Sequence, residues 1–139
     1  MKAYKFLTQA NMGGYSGHKY EIKFGEWLPE IDNIELCKRW YHACKADDVT
    51  HWINARLYEV ELDGEIIEGE EKVVASKMRY VRELTSWNEK NQRLFAADCA
   101  ELVLPYFEKQ YPDYESPRKA IEAARDFANG KIDKDELLA

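Results

Sequence analysis

Within eight residues, Cys37 to Cys44, the sequence CKRWYHAC gathers two thiols, an imidazole, two aromatic rings and two cations. Cys37, His42 and Cys44, together with His51, are the ligand types that close a tetrahedral zinc site. The spacing argues against it. Structural zinc ligands usually pair about two to four residues apart in a tight turn, whereas six residues separate Cys37 from Cys44 and six more separate Cys44 from His51. The reading preferred is structural, with both thiols packed and His42 bonded to a backbone group. No metal and no cofactor are expected, and no complete catalytic motif stands elsewhere in the chain.

Other chemistry is thinner still. Glu59, Glu61 and Asp63 alternate along one stretch, the pattern of a solvated strand face. Lys77, Arg79 and Arg82 surround Tyr80, and Arg118, Lys119 and Arg125 follow later, but glutamates interleave throughout and no basic stripe forms. With a formal net charge of -6 the chain lacks the cationic surface that displaces counterions from nucleic acid.

The 139 residues, 45% hydrophobic and 13% aromatic, suffice for one domain with a core and a helical appendage. No apolar run approaches the roughly 18 residues of a membrane span, and MKAYKFLTQANMGG has no apolar stretch of the signal-peptide type. Three cysteines, Cys37, Cys44 and Cys99, are no disulfide framework, so a reducing, cytoplasmic setting is expected.

The elements that must position these residues change period part-way along. AYKFLT (3–8), the stretch KYEIKFGEWL ending at Pro29, and IELC (34–37) read as strands, with Gly13, Gly14 and Gly17 in the turn between the first two. KADDVTHWINA (45–55) reads as a short helix. RLYEVELDGEII alternates with period two into an Asp-Gly turn, and KVVASKMRYVREL (72–84) is its partner strand. Beyond Leu84 the signals are helical. Ser86 and Glu89 form a capping box, and a helix follows that Pro105 should kink or end near Leu104. A second helix starts at Ser116 and Pro117 and stops at Gly130, and a last short one is capped by Asp133. Asp98 falls on an apolar helix face, where it requires Arg118 or Arg125 as partner, and Glu101 can pair with Arg125 nearer the surface. The fold class is therefore α+β, a mostly antiparallel sheet in the N-terminal two thirds followed by a packed helical segment. The domains are residues 1–84, sheet-rich with one short helix, and 85–139, helical and packed on the sheet or on a partner.

Two stretches carry a resemblance. Leu36, Cys37, His42, Ala43 and Cys44, then Tyr58, Glu59, Val60, Glu61, Gly64 and Glu65, then Lys72, Ala75, Lys77 and the closing Val81, Arg82, Glu83 and Leu84 match a pattern of uncharacterised domains common in phage and bacterial accessory proteins. Trp40 and Tyr41 stand where that pattern has glycine and phenylalanine. FAADCAELVLPYFEKQYPDYESPRKAIEAARDFANGKI (95–132) resembles a helical segment of phage proteins and of immunity proteins of bacterial toxin systems. The resemblance implies phage or prophage cargo engaged in conflict with a host or rival. A looser similarity, to ADP-ribosyltransferase-like domains, implies an alternative: Tyr41 or Trp40 stacking on nicotinamide, His42 bonding the ribose, and Glu61 or Glu83 stabilising the oxocarbenium-like charge.

The preferred function is protein–protein binding, with a host defence component among the candidate partners and an enzyme the lesser alternative. Trp40, Tyr106, Tyr111 and Tyr114 are the contact candidates, since an exposed aromatic cluster anchors protein partners. An edge strand of the sheet offers a route to a homodimer.

Overall fold

The computed structural model describes residues 1–34 and 40–139. They form two compact units, Met1–Trp87 and Asn88–Ala139. The first is an antiparallel sheet and the second is helical, the α+β architecture that the change of period implies. The expected strand 34–37, and Cys37 with it, lies outside the described residues except for Ile34.

Among the described residues of the first unit, β1 (Lys2–Leu7), β2 (Tyr41–Ala43), β3 (Arg56–Glu68) and β4 (Val73–Glu83) pair in the order β1-β3-β4-β2. All pairings are antiparallel. Alternation sends Tyr58, Val60 and Leu62 of β3 and Met78 and Tyr80 of β4 to one face, where they bury completely or nearly so with Ala3, Leu7 and Ala75. Tyr58 and Tyr80 meet edge to face with centroids 5.2 Å apart, a geometry their ring quadrupoles favour. The sheet curls until its two outer strands touch. Tyr4 and Cys44 exchange reciprocal backbone hydrogen bonds, both 2.8 Å, so β1 and the end of β2 meet at one point. An edge that could pair a second copy is thus consumed at Tyr4.

Several elements differ from the sequence-based expectations, each for a local reason. Residues 19–28 do not form a regular strand. Single bonds from Gly25 to the Tyr80 carbonyl, Leu28 to that of Met78 and Ile31 to that of Ser76 lay the segment along β4 beyond the end of β2, while Gly25 at φ +81° breaks the extended run. The 45–55 helix is a 3-10 helix, Ala46–Trp52, and its N-cap Lys45 makes no side-chain capping bond. Asp63-Gly64 is not the hairpin turn. β3 runs through it to Glu68, and the register jumps from Asp63 opposite Lys77 to Ile66 opposite Ala75, a bulge. Gly64 takes φ +74° there, and a Cβ on it would collide with Ser76 Oγ, which accepts the Glu65 amide at 2.9 Å. The hairpin closes at Gly69, whose amide donates to the Lys72 carbonyl at 2.7 Å.

In the second unit α1 (Glu89–Gln110) and α2 (Ser116–Ala128) pack through Ala97, Ala100, Leu104 and Ile121, with a short α3 (Lys134–Leu138) after them. The N-cap of α1 is Asn88, whose side chain accepts the Asn91 amide at 3.0 Å, rather than Ser86. Pro105 does not end α1. Its side chain is exposed, so the carbonyl deprived of an amide partner one turn earlier can face water. Two arginines one heptad apart on α2 clamp α1: Arg118 holds Glu108 with bonds of 2.7 and 2.8 Å, and Arg125 holds Glu101 and Asp98. Asp98 is exposed rather than half-buried, so its pairing is a surface one of modest energy. Gly130 at φ +70°, with the Lys131 amide reaching the Asp126 carbonyl at 2.8 Å, ends α2 in a Schellman motif. The Asp133 capping box opens α3.

Two substitutions test this packing. The Tyr80 hydroxyl is buried without a hydrogen-bond partner among the described residues, whereas that of Tyr58 donates to Asn11 Oδ1 at 2.7 Å. In urea denaturation Tyr80→Phe should leave stability unchanged or raise it by about 1 kcal/mol, and Tyr58→Phe should lower it by about 1 kcal/mol. Equal losses for both would mean that the Tyr80 hydroxyl is satisfied. Gly64→Ala should cost about 1–2 kcal/mol or more, from its positive φ and the Ser76 collision.

Candidate functional site

β1 and β2 touch at Tyr4 and Cys44 and then part. In an antiparallel pair every second residue turns its amide and carbonyl to the same neighbour, so those of Phe6 and His42 are directed into the gap beyond the Tyr4–Cys44 pair. Strand pairing does not continue there. Instead Lys5 Nζ donates to the His42 carbonyl at 2.6 Å, a side chain standing in for the absent ladder bond. The gap is the floor of a cleft with two adjoining lobes of about 170 and 410 Å³. Phe6, His42, Trp52 and Lys72 line both lobes. The 3-10 helix supplies Trp52, fixed by its indole N–H donating to the Glu71 carbonyl at 2.8 Å. Tyr15, from the glycine-rich turn, is 90% exposed and stands edge-on to Trp52 at 5.8 Å.

The electrostatics of the cleft follow from Lys5, which is only 8% exposed. Among the described residues no carboxylate pairs with it. Its contacts are the His42 carbonyl and the Tyr20 ring, whose centroid lies 5.0 Å from Nζ. Burial pushes the Lys5 ammonium down to about 8, with Cys44 pulling weakly the other way. His42 is pushed down to about 4, first by burial and then by the positive charges of Lys5 and Lys72, so its ring is neutral at physiological pH. The Cys44 thiol is pushed up to about 11 by burial and by Asp48, with Lys5 opposing. It donates to the Tyr4 carbonyl at 3.4 Å. A neutral thiol of this kind is a poor nucleophile and a poor metal ligand.

The second unit presents a different kind of surface. Cys99, Leu102 and Tyr106 follow one another at spacings of three and four on α1, about 200° around the helix from the Leu104 side that packs on α2. Leu102 is 77% exposed and Tyr106 79%, with Val103 exposed beside them. After the helix, Tyr111 and Tyr114 are also exposed and gather around Phe107, with centroids 5.0 and 6.0 Å from its ring.

Comparison with known families can be set against this geometry. Residues 1–91 match the family described as "Domain of unknown function (DUF7666)". The chain belongs to this family. Residues 82–138 match the description "Imm-5 like putative immunity protein". A search of curated proteins finds no match, and one of solved structures finds none either.

Within the DUF7666 domain the residues singled out from sequence are distributed as follows. His42, Cys44 and His51 all line the smaller lobe of the cleft, but no group of three metal-ligating side chains is arranged to hold an ion among the described residues. Cys37 lies outside those residues. The four groups of the ADP-ribosyltransferase reading are not brought together. Tyr41 points into the core and donates its hydroxyl to the Pro29 carbonyl at 2.6 Å. Glu61 is bound to Arg79 at 2.5 Å, and Glu83 to Arg56 at 2.7 Å, which holds its carboxyl below the usual range. His42 sits opposite Val74, nine positions from Glu83 along β4, or roughly 30 Å at ~3.3 Å per residue. Trp40 is only 8% exposed, with its indole N–H donating to His42 Nε2, so it joins no exposed aromatic patch.

Lys5 and Tyr15 escaped sequence reasoning. The signal for Lys5 was its parity: it shares the inward side of β1 with Ala3 and Leu7.

The buried ammonium has a consequence for stability. An unfolded lysine titrates near ~10.4, so between about pH 8 and 10.4 the unfolded chain binds a proton that the folded chain has released, and stability rises with pH. Below about pH 8 the full penalty stands, on the order of 3 kcal/mol. Lys5→Met should therefore be more stable than the parent at pH 7 in chemical denaturation, with the difference shrinking towards pH 10. A difference that does not vary with pH would show that Lys5 titrates normally.

Proposed function

We propose that this chain is a phage- or prophage-type accessory protein, working in the cytoplasm, that acts by binding another protein through its helical C-terminal part, residues 85–139. The observation that carries this reading is the exposed apolar face of α1, Leu102 and Tyr106 above all. Side chains of this size left open to water on a helix that already has a packed side are typical of partner surfaces. Spacings of three and four are those with which one helix receives another. The surrounding charge is largely internal, since Asp98, Glu101 and Glu108 are held by Arg125 and Arg118. Burial of apolar area at the centre would therefore supply most of the affinity.

The match of residues 82–138 to an immunity-type description supports an inhibitory role, in which the bound partner is a toxin or a host defence component occluded by contact. Among the described residues no helix is long and apolar enough to cross a membrane.

The test places a photo-crosslinking amino acid at position 102 and, as a control, at position 70 in the β3–β4 hairpin. One dominant protein adduct from position 102, absent from position 70, is expected. With that partner purified, Leu102→Asp and Tyr106→Asp should each weaken the complex at least about tenfold while leaving the fold unchanged. Equal adducts from both positions, or full affinity in both variants, would remove the helical face from the account.

A further inference from the structure

The split between β1 and β2 has a use that the helical face does not explain. A buried ammonium normally has a carboxylate beside it, because the desolvation of an isolated charge is opposed only weakly by a single carbonyl. Lys5 has the His42 carbonyl and the flank of Tyr20, and among the described residues no anion. Lys72 brings a second positive charge to the same cleft, close enough to depress His42. Among the described residues Glu71 is the acidic side chain that lines the larger lobe, and His51 lies 3.8 Å from it. The walls are flat and apolar: Phe6, Trp52 and Tyr15. The larger lobe, about 410 Å³, falls within the ~300–1,000 Å³ of sites that take small organic molecules.

We propose that this cleft binds a small planar organic anion, a single ring bearing one carboxylate or phosphate group, with the anionic group towards Lys5 and the ring against Trp52 and Tyr15. The cations set the sign of the ligand, and backbone amides turned into the split at Phe6 and His42 add donors for its oxygens. The edge of Trp52 that is bonded to Glu71 cannot turn away, so the ring surface is already formed. Tyr15, 90% exposed and edge-on to Trp52, can close over the ligand. Neutral His42 completes the floor without repelling or attracting the charge.

This site does not depend on the proposed protein partner and is tested on the isolated chain. Benzoate, phenyl phosphate, inorganic phosphate, benzyl alcohol and benzylamine would each be titrated to 10 mM while amide and indole signals are followed by NMR. Benzoate or phenyl phosphate should shift the Phe6 and His42 amides and the Trp52 indole in a saturable way, and the tighter of the two tells carboxylate from phosphate. Binding should also draw protons from solution at pH 8, because an anion at the site favours charged Lys5. Lys5→Met, a variant expected to fold at least as well as the parent, should weaken binding at least tenfold. Tyr15→Ala, at an exposed position that leaves the fold untouched, should weaken it severalfold. No saturable shift at 10 mM, equal response to benzyl alcohol or benzylamine, or inorganic phosphate binding as tightly as phenyl phosphate with Tyr15→Ala unaffected would each overturn the proposal.

Discussion

The first unit depends on one contact between its two outermost strands. The reciprocal Tyr4–Cys44 backbone pair draws the ends of a four-stranded sheet together, so the concave side closes around Tyr58, Tyr80, Leu62 and Met78 and becomes a core. The closure is brief. One residue later the strands diverge, and Lys5, on the inward side of β1, spans the gap to the His42 carbonyl. A longer pairing would have sealed the wall and left no place for a cleft. No pairing would have left two open edges, which invite association with other chains. The buried ammonium is the consequence of this compromise, since only a long side chain with a donor at its tip can reach an edge carbonyl across the split.

The surrounding elements serve that arrangement. The bulge at Gly64 allows β3 to continue to Glu68 and carry the hairpin to the mouth of the cleft, where Glu71 fixes Trp52 and Lys72 adds its charge. The segment from Gly25 to Ile31 covers β4 where β2 stops. The helical unit obeys a simpler rule. Small residues on α1, Ala97 and Ala100, let α2 approach, two arginines tie the helices at the surface, and the opposite side of α1 is left apolar. A chain joining a DUF7666 domain to an immunity-like helical segment thus carries two surfaces of different chemistry, one concave and cationic, the other convex and apolar.

How much of this could be read from the sequence depended on the range of the interaction. Local signals served well. Period-two alternation located β3 and β4, Pro117 and Gly130 bracketed α2, and Asp133 capped α3. Signals that compete locally misled: Asp63-Gly64 has the composition of a turn, but the inward residues on both sides favour continuing the strand, and a glycine at positive φ absorbs the mismatch as a bulge. Pro105 was given the power to end a helix that its exposed position does not confer. The Tyr4–Cys44 closure joins residues forty apart through a reciprocal pair of backbone bonds, so no pattern of side chains announces it. For the same reason CKRWYHAC raised the question of a metal, whereas the cleft it borders takes its character from a lysine far earlier in the chain.

The central claim is that Lys5 is a buried cation with no anionic partner among the described residues, at the point where the sheet splits. The most direct measurement is the titration of the Lys5 Cε and Nζ resonances by NMR in the intact chain, assigned by comparison with Lys5→Met. A midpoint near 8, well separated from the other lysines, is the result the account requires. A midpoint near the ordinary ~10.4 would mean that Lys5 reaches water or a carboxylate, and would contradict the cleft built on it.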